Sequence, residues 1–244
     1  MRILFDNKPF FVPLTEPTHI LDVGTGTGIW AIDVGDKYPE AQVIGTDLSP
    51  IQSRWVPPNV KFEVDDLDET WTYPLDHFDL IHSRLMNGIA INNWKRFYEQ
   101  CFKHLKPGGY VECQEFDCIA KSDDNSVSPD SPLTKYCEKL GEGYSKAGIL
   151  LRIDFPAMKA AMQEVGFVDI SARELKLPIG PWPRDQKLRE AGEASLVAML
   201  DGLYGLSVAC FTRFLGWEVS ELNVFLEDVK KEWRRKAVHS YWPM

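Results

Sequence analysis

Residues 19–28 read HILDVGTGTG, and this stretch decides the fold. A short, mainly apolar run after Pro17 predicts a buried strand, and three glycines follow it at alternate positions. A helical pattern then begins at Ile29 and stops at Pro39. Glycine permits backbone angles and close approach that side chains forbid. The turn can therefore lay a nucleotide-like ligand against bare main chain at the carboxyl edge of a sheet.

The chain around this turn alternates short apolar runs with helical patterns, which predicts crossover units and a parallel sheet. Further strands are predicted at 42–46, 60–64, 78–82, 110–116 and 168–177, and further helices at 133–150, 154–166, 186–216 and 218–236. The clearest helix covers 94–105, with Asn92 or Asn93 as its cap and a Pro-Gly-Gly stop after it. In the last helix, the spacing predicts exposed pairs of Glu227 with Lys231 and of Glu232 with Lys236.

The composition excludes several classes of protein. The 244 residues are 44% hydrophobic and 12% aromatic, enough for a packed core. Lys and Arg number 27 against 36 Asp and Glu, a net charge of −9, so the broad positive field that binds nucleic acid or an anionic membrane is missing. No apolar run approaches a membrane span, and no secretory signal is evident. Five cysteines without a CxxC pair and five scattered histidines predict reduced thiols and no metal site. These features indicate a cytoplasmic protein.

The glycine spacing distinguishes between two kinds of nucleotide ligand. A dinucleotide fingerprint would place glycines at 24, 26 and 29, but residue 29 is Ile. This disfavours a nicotinamide-dependent oxidoreductase. The third glycine is instead Gly28, one position early. A glycine-rich turn without any ligand stays open as the alternative.

Acidic residues follow the second and third predicted strands, where a ligand in this turn would need them. Asp47 ends the second strand, and a carboxylate there can accept hydrogen bonds from both ribose hydroxyls. Its alternative role is to cap the turn before Ser49. Asp65 and Asp66 follow the third strand, and two adjacent acids equally suit the capping of a short turn.

The turn and four later stretches resemble a known enzyme family. Glycines at 24, 26 and 28 after Asp22, the residues just considered, and the stretches 78–82 (FDLIH) and 104–112 (HLKPGGYVE) resemble class I S-adenosylmethionine-dependent methyltransferases. The resemblance implies a Rossmann-like α/β sheet, mostly parallel and flanked by helices, with S-adenosyl-L-methionine as cofactor. It implies that the adenine amino group binds after the third strand, where an apolar residue stacks on the ring. The implied cofactor-binding residues are Asp22, Gly24, Thr25, Gly26, Gly28, Asp47, Leu48, Asp65, Asp66, Leu67 and His82.

A narrower resemblance extends over most of the chain. The stretches 20–33, 43–55, 57–62, 81–84 and 105–117 are similar to the LaeA-like group of fungal methyltransferases. That group includes regulators of secondary metabolism and development as well as enzymes of natural-product pathways. Two hypotheses follow: a methyltransferase acting on a small-molecule natural product, or a regulatory methyltransferase-like protein with a protein partner, in the cytoplasm or the nucleus.

The same resemblance sets expectations for domain organisation. Members of the group usually carry a longer amino-terminal region and a last strand inserted antiparallel between the fifth and the sixth. Because the sequence stops at Met244, that strand is expected to be missing and cofactor binding to be weaker. We predict one methyltransferase domain over 1–244, with helical cap insertions at about 121–152 and 182–216 that select the substrate.

Two side chains are candidates for catalysis. His82 ends the predicted fourth strand beside the expected methyl position. Because imidazole is the side chain that ordinarily gains and loses a proton near neutral pH, this residue is the best candidate for a general base. A structural role in hydrogen bonding is the alternative. Glu115, like Asp117, leaves the fifth strand and is a candidate for orienting a methyl acceptor. Either acid could equally bind backbone amides.

Overall fold

The structure is a computed structural model that describes residues 2–88, 90, 91 and 93–244. The chain divides into two compact units. The sheet unit comprises Lys8–Glu115 and Asp154–Ser171. The helical unit comprises 2–7, Phe116–Ile153 and Ala172–Met244. The prediction of one domain with cap insertions stays a prediction.

Seven strands and six helices make up the described part of the chain. The strands are β1 (His19–Val23), β2 (Gln42–Asp47), β3 (Val60–Val64), β4 (Phe78–Arg84), β5 (Leu105–Gln114), β6 (Lys176–Pro178) and β7 (Tyr241–Pro243). The helices are α1 (Ile29–Lys37), α2 (Trp94–His104), α3 (Pro132–Lys146), α4 (Phe155–Val165), α5 (Gln186–Ala209) and α6 (Val219–Trp233). A π-helical turn, Cys210–Phe214, continues α5.

The sheet unit contains a five-stranded sheet in the order β3-β2-β1-β4-β5, with every pair parallel. This confirms the predicted α/β class. Val23 lies opposite Thr46 on one side and Ser83 on the other, and Asp47 lies opposite Val64. The carboxyl ends of the four strands β1 to β4 therefore meet at one edge, where the glycine turn leaves β1.

One apolar core of the sheet unit lies between α1 and the sheet. It buries Phe10, Ile20, Trp30, Ala31, Val34, Ala41, Val43, Val60 and Leu80. The members from α1 recur at spacings of three and four, and those from the strands are mainly β-branched or leucine, as a buried parallel sheet requires. This packing fixes α1, and hence the turn that precedes it, against the strands.

The junction between α2 and β5 differs from the prediction. Asn93 caps α2 by accepting a hydrogen bond from the Arg96 amide at 3.1 Å, while Asn92 lies outside the described residues. β5 begins at Leu105, directly after the helix, rather than at Tyr110. The Pro-Gly-Gly segment stays within the strand because the register with β4 shifts between Phe78 and Leu80.

The helical unit contains an antiparallel pair that is separate from the five-stranded sheet. Lys176 lies opposite Pro243 and Pro178 opposite Tyr241. The amide of Asp117 also donates to the carbonyl of Pro243 at 2.8 Å. The sixth strand is thus shorter than the predicted 168–177, because Val168 is 80% exposed and therefore lacks the buried face that the alternation suggested. No antiparallel strand joins the five-stranded sheet in the described part of the chain.

Glu232 on α6 does not form the exposed pair that its spacing suggested. Its side chain is buried and accepts a hydrogen bond from the amide of Leu133 at 2.6 Å, in the first turn of α3. An acid is favourable there because the helix start presents unpaired amides and a positive dipole. Glu227 pairs with Lys230 at 2.8 Å instead of with Lys231.

One helix departs from the expectation drawn from apolar runs. By length and composition alone, Gln186–Phe214 is long and apolar enough to cross a membrane, and 28% of its most apolar window is buried inside the protein. Isolated polar residues interrupt the segment, which is why it contains no continuous apolar run. A mostly buried core helix of a soluble protein satisfies the same two criteria.

Candidate functional site

The glycine turn is bounded by side chains on two sides and open on a third. Gly24, Gly26 and Gly28 all have positive φ angles, of 70°, 58° and 79°. A β-carbon on Gly24 would lie 2.2 Å from the Met86 sulfur, and one on Gly28 would lie 2.2 Å from the Phe62 ring. Neighbouring side chains therefore fill those positions. A β-carbon on Gly26 would meet no heavy atom of the described residues within 4 Å. The turn thus exposes bare main chain at Gly26.

Asp47 is directed at this open position. Its Oδ2 accepts a hydrogen bond from the Gly26 amide at 2.8 Å, and its Oδ1 accepts one from the Ser49 amide at 2.9 Å. The bond from Ser49 is the predicted capping role of Asp47, and the bond from Gly26 places its carboxylate beside the open position. Its role at the ribose hydroxyls stays a prediction. A carboxylate oxygen has further lone pairs with which to accept a ligand hydroxyl.

Gln52 is a residue of this edge that the sequence did not single out. Its amide Nε2 donates to the carbonyl of Gly26 at 2.7 Å and to that of Ser49 at 2.9 Å. Gln52 and Asp47 together hold both backbone polar groups of Gly26. Four residues of irregular loop separate Asp47 from Gln52, so no periodic signal links them.

A buried network supports the turn from below. Asp22 accepts a hydrogen bond from the Thr25 hydroxyl at 2.6 Å, and its other oxygen lies 2.8 Å from Nδ1 of His82. The imidazole of His82 is completely buried and stacks on Trp30, with ring centroids 3.7 Å apart. Burial keeps this imidazole away from any acceptor at the protein surface. The catalytic role of His82 stays a prediction. Its buried, hydrogen-bonded position agrees with the alternative, a structural role in hydrogen bonding.

The loop after β3 brings its acids to local amides. Asp65 Oδ1 accepts from the amide of Asp66 at 2.9 Å, and Asp66 Oδ1 accepts from that of Asp68 at 3.0 Å. The amide of Asp65 donates to the carbonyl of Asp47 at 3.2 Å, which places this loop next to the turn. Leu67 is half-buried, while Leu48 is 64% exposed. Leu48 therefore offers apolar surface to a ligand at this edge.

Side chains outside the predicted site hold the same loop. Gln100 of α2 donates to the carbonyl of Glu69 at 3.0 Å, and the indole of Trp71 donates to that of Leu67 at 3.2 Å. Arg96 of α2 donates to the carbonyl of Asp68. The contacts from Gln100 and Arg96 join α2 to a loop about thirty residues earlier, a pairing that the sequence does not encode locally.

Glu115 binds backbone amides, which was the alternative to its predicted role in orienting an acceptor. It is buried, and it accepts from the amides of Met86 (3.0 and 3.1 Å to its two oxygens) and Asn87 (3.0 Å). Burial raises the pKa of Glu115 to about 7, although the two amide donors act in the opposite direction. Because Met86 packs against Gly24, Glu115 fixes a segment that bounds the turn. Asp117, in the helical unit, accepts from the amide of Ile119 at 3.2 Å.

The pKa of Glu115 predicts a pH dependence of stability. A folded-state pKa of about 7, above the ordinary 4.5, means that the folded state holds the proton more tightly than the unfolded state. The stabilisation is therefore complete below about pH 4.5 and is lost as the pH rises through 7. Relative to Glu115→Gln, which cannot titrate, the free energy of unfolding should fall by about 3 kcal/mol over this range. Urea unfolding of both proteins from pH 4.5 to 8 measures this, and a difference independent of pH would contradict it.

The structure brings most of the predicted site residues together. Asp22, the three glycines, Thr25, Asp47 and Asp65 form one continuous set around the end of β1, and His82 lies beneath them. Among the described residues, no group of three or more His, Cys, Asp or Glu is arranged to hold a metal ion. The groups present suit a polar organic ligand: main chain without a covering side chain at Gly26, a carboxylate acceptor beside it and an exposed apolar side chain at Leu48.

Comparison with known proteins identifies relatives over nearly the whole chain. Residues 2–172 match the model of a methyltransferase domain. The chain is 39% identical over 250 residues to the methyltransferase PytC of Aspergillus terreus. The aligned region covers 98% of this chain and 73% of that protein. It is 36% identical to the secondary metabolism regulator LAE1 of Cochliobolus heterostrophus, over 94% of this chain and 75% of that protein.

Solved structures share the fold. Phosphoethanolamine N-methyltransferase 2 of Haemonchus contortus, in complex with S-adenosyl-L-methionine, superposes with a TM-score of 0.52. The match covers 96% of this chain and 49% of that chain, at 18% sequence identity. At this identity the similarity shows the fold alone, and it agrees with the parallel sheet described above.

Proposed function

The chain belongs to the methyltransferase domain family, and on this basis we propose that it uses S-adenosyl-L-methionine to methylate a small-molecule natural product in fungal secondary metabolism. The observation that carries the cofactor assignment is the open position at Gly26 with the Asp47 carboxylate on its amide. The relatives in fungi, among them a regulator of secondary metabolism, support the biological setting.

The described residues fit this cofactor, each through a definite chemical group. Asp47 accepts the ribose hydroxyls, and bare main chain at Gly26 permits close approach of the nucleoside. Leu48 and Leu67 present apolar surface to the adenine ring. Asp65 or Asp66 accepts a hydrogen bond from the amino group of that ring. Asp22 and Thr25 shape the turn, as do the contacts of Gly24 and Gly28.

The bound cofactor supplies an electrophilic methyl group on a sulfonium sulfur. What remains for the protein is to hold the acceptor in line with that group, and positioning of this kind contributes about 7–11 kcal/mol to such reactions. A general base is needed only where the acceptor must lose a proton. Glu115 has a suitable pKa of about 7, but its carboxylate is engaged with two amides. We therefore assign it a positioning role in the segment that contains Met86.

The alternative function is that of a regulatory methyltransferase-like protein, with a protein partner and little or protein-directed methylation. The 36% identity to LAE1, a named regulator, supports this alternative. That match covers 94% of this chain, against 98% for the match to PytC. For either function we propose a cytoplasmic or nuclear location. The net charge of −9 argues against nucleic-acid and membrane-surface partners.

Calorimetry with S-adenosylmethionine, S-adenosylhomocysteine and NAD tests the cofactor. We expect binding of the two adenosyl ligands and none of NAD; NAD binding without adenosyl binding would overturn the proposal. Labelled cofactor incubated with fungal metabolite extract, and separately with fungal protein, tests the acceptor. Label in the small-molecule fraction supports the first function, whereas label only in protein, or in neither, contradicts it and favours the regulatory alternative.

A further inference from the structure

The buried imidazole of His82 is joined to the glycine turn through a single carboxylate. Asp22 lies opposite His82 in the register between β1 and β4. One oxygen of Asp22 lies 2.8 Å from Nδ1 of His82, and the other accepts the Thr25 hydroxyl at 2.6 Å. The Thr25 amide in turn donates to the carbonyl of Thr46 at 2.8 Å, so Thr25 sits between β1 and β2. The path from imidazole to turn therefore contains only Asp22 and Thr25.

The hydrogen bonding identifies which nitrogen of the imidazole donates to Asp22. An Asp22 carboxylate can only accept, so Nδ1 of His82 carries the proton that forms the bond. Nε2 of His82 is buried and has no hydrogen-bond partner among the residues that the structure describes. Within that part of the chain, the bond to Asp22 is therefore the imidazole's one polar contact. A side chain that reproduces the Nδ1 donor would reproduce this polar role.

Trp30 holds the ring in the plane that this bond requires. The two rings are 2° from parallel, with centroids 3.7 Å apart. The indole is itself fixed, because its Nε1 donates to the carbonyl of Pro9 at 2.8 Å. The imidazole thus cannot tilt away from Asp22 without breaking a stack on an anchored ring.

We propose that His82 is a positioning residue for the cofactor turn. Its Nδ1–H orients the Asp22 carboxylate so that the second oxygen holds Thr25, and the turn is thereby shaped before the adenosyl ligand binds. This inference rests on the proposed function for its effect on affinity. It assigns to this buried histidine of β4 a role other than proton abstraction.

Two substitutions separate this role from simple packing. In His82→Asn, the side-chain amide nitrogen occupies the place of Nδ1 and keeps the donor, while the ring and its stack on Trp30 are lost. In His82→Phe, the ring and its stack on Trp30 are kept and the donor is lost. If the donor matters, affinity for S-adenosylhomocysteine should fall less than about 3-fold in the Asn variant and about 10- to 50-fold in the Phe variant. If only packing matters, the order is reversed, and that result would overturn the proposal.

A second measurement keeps the test independent of ligand binding. In the ligand-free protein, NMR amide signals of the three turn glycines should stay in place in His82→Asn and shift in His82→Phe. Thr25→Val removes the hydroxyl at the other end of the path and should produce the same shifts. Unmoved glycine signals in His82→Phe or Thr25→Val would contradict the inference. A wild-type protein that binds no S-adenosylhomocysteine would instead contradict the proposed function and leave the NMR test to decide the role of His82.

Discussion

Gly26→Leu should abolish binding of S-adenosylhomocysteine, weakening it at least about 100-fold, while the protein still folds. The β-carbon of the leucine would meet no described atom within 4 Å beyond its two chain neighbours, so the side chain does not start inside the packed core. It would instead occupy the space over the bare main chain where the nucleoside is proposed to lie. Calorimetric titration measures the affinity, and thermal unfolding monitors the fold.

Gly108→Leu is the matched control for this substitution. Gly108 also has a positive φ, of 84°, and a β-carbon there would likewise meet no described atom within 4 Å. Both variants therefore place a side chain in a left-handed conformation, at a cost of about 1–2 kcal/mol in stability. We expect the two variants to lose similar amounts of stability. Only Gly26→Leu should also lose affinity for S-adenosylhomocysteine. Affinity of Gly26→Leu within 3-fold of the wild type would show that the ligand does not lie against this turn.

The parts of the fold that the sequence predicted are those with local signals. β1 and β3 have the predicted limits because proline or glycine bounds an apolar run in each region. The helix predicted from residue 154 also starts there, with Asp154 as a cap that accepts from the Ala157 amide. β6 was predicted too long because its partner, β7, lies more than sixty residues later in the chain. Pairing at that distance leaves no periodic trace in either segment.

The site was predicted to the extent that motif spacing defines it. The turn and Asp47 follow from strand ends that must share one edge of a parallel sheet. The burial of His82 could not be predicted from motif spacing, because it depends on Trp30 of α1 stacking on the imidazole. Gln52, Met86 and Gln100 escaped prediction for a related reason: each acts through a tertiary contact with backbone or glycine, and the residue types alone are common.

Asp47→Asn should remove the protein's preference for an intact ribose. Hydrogen bonds to a charged acceptor are worth about 1.5–3 kcal/mol, so the wild type should bind adenosine about 10- to 100-fold more tightly than 2′,3′-dideoxyadenosine. An asparagine at 47 carries one acceptor oxygen and no charge, and its amide group would face the Gly26 or Ser49 donor. The preference should therefore fall to a few-fold, as measured by competition with S-adenosylhomocysteine.

The comparison of two nucleosides separates a direct contact from a general disturbance of the loop. A loop that is merely displaced weakens both nucleosides equally and leaves their ratio unchanged, and that result would contradict a contact between Asp47 and the ribose. Asp79→Asn is the control, because Asp79 also accepts two backbone amides, those of Thr18 and His19, at the amino ends of β1 and β4. Lys106 pairs with Asp79 at 2.8 Å. Partial burial raises the pKa of Asp79, but the hydrogen bonds from Lys106, His19 and Thr18 outweigh it and lower the pKa to about 2. Asp79→Asn should therefore lower stability and leave the ribose preference intact, since its carboxylate lies at the edge of the sheet opposite the glycine turn.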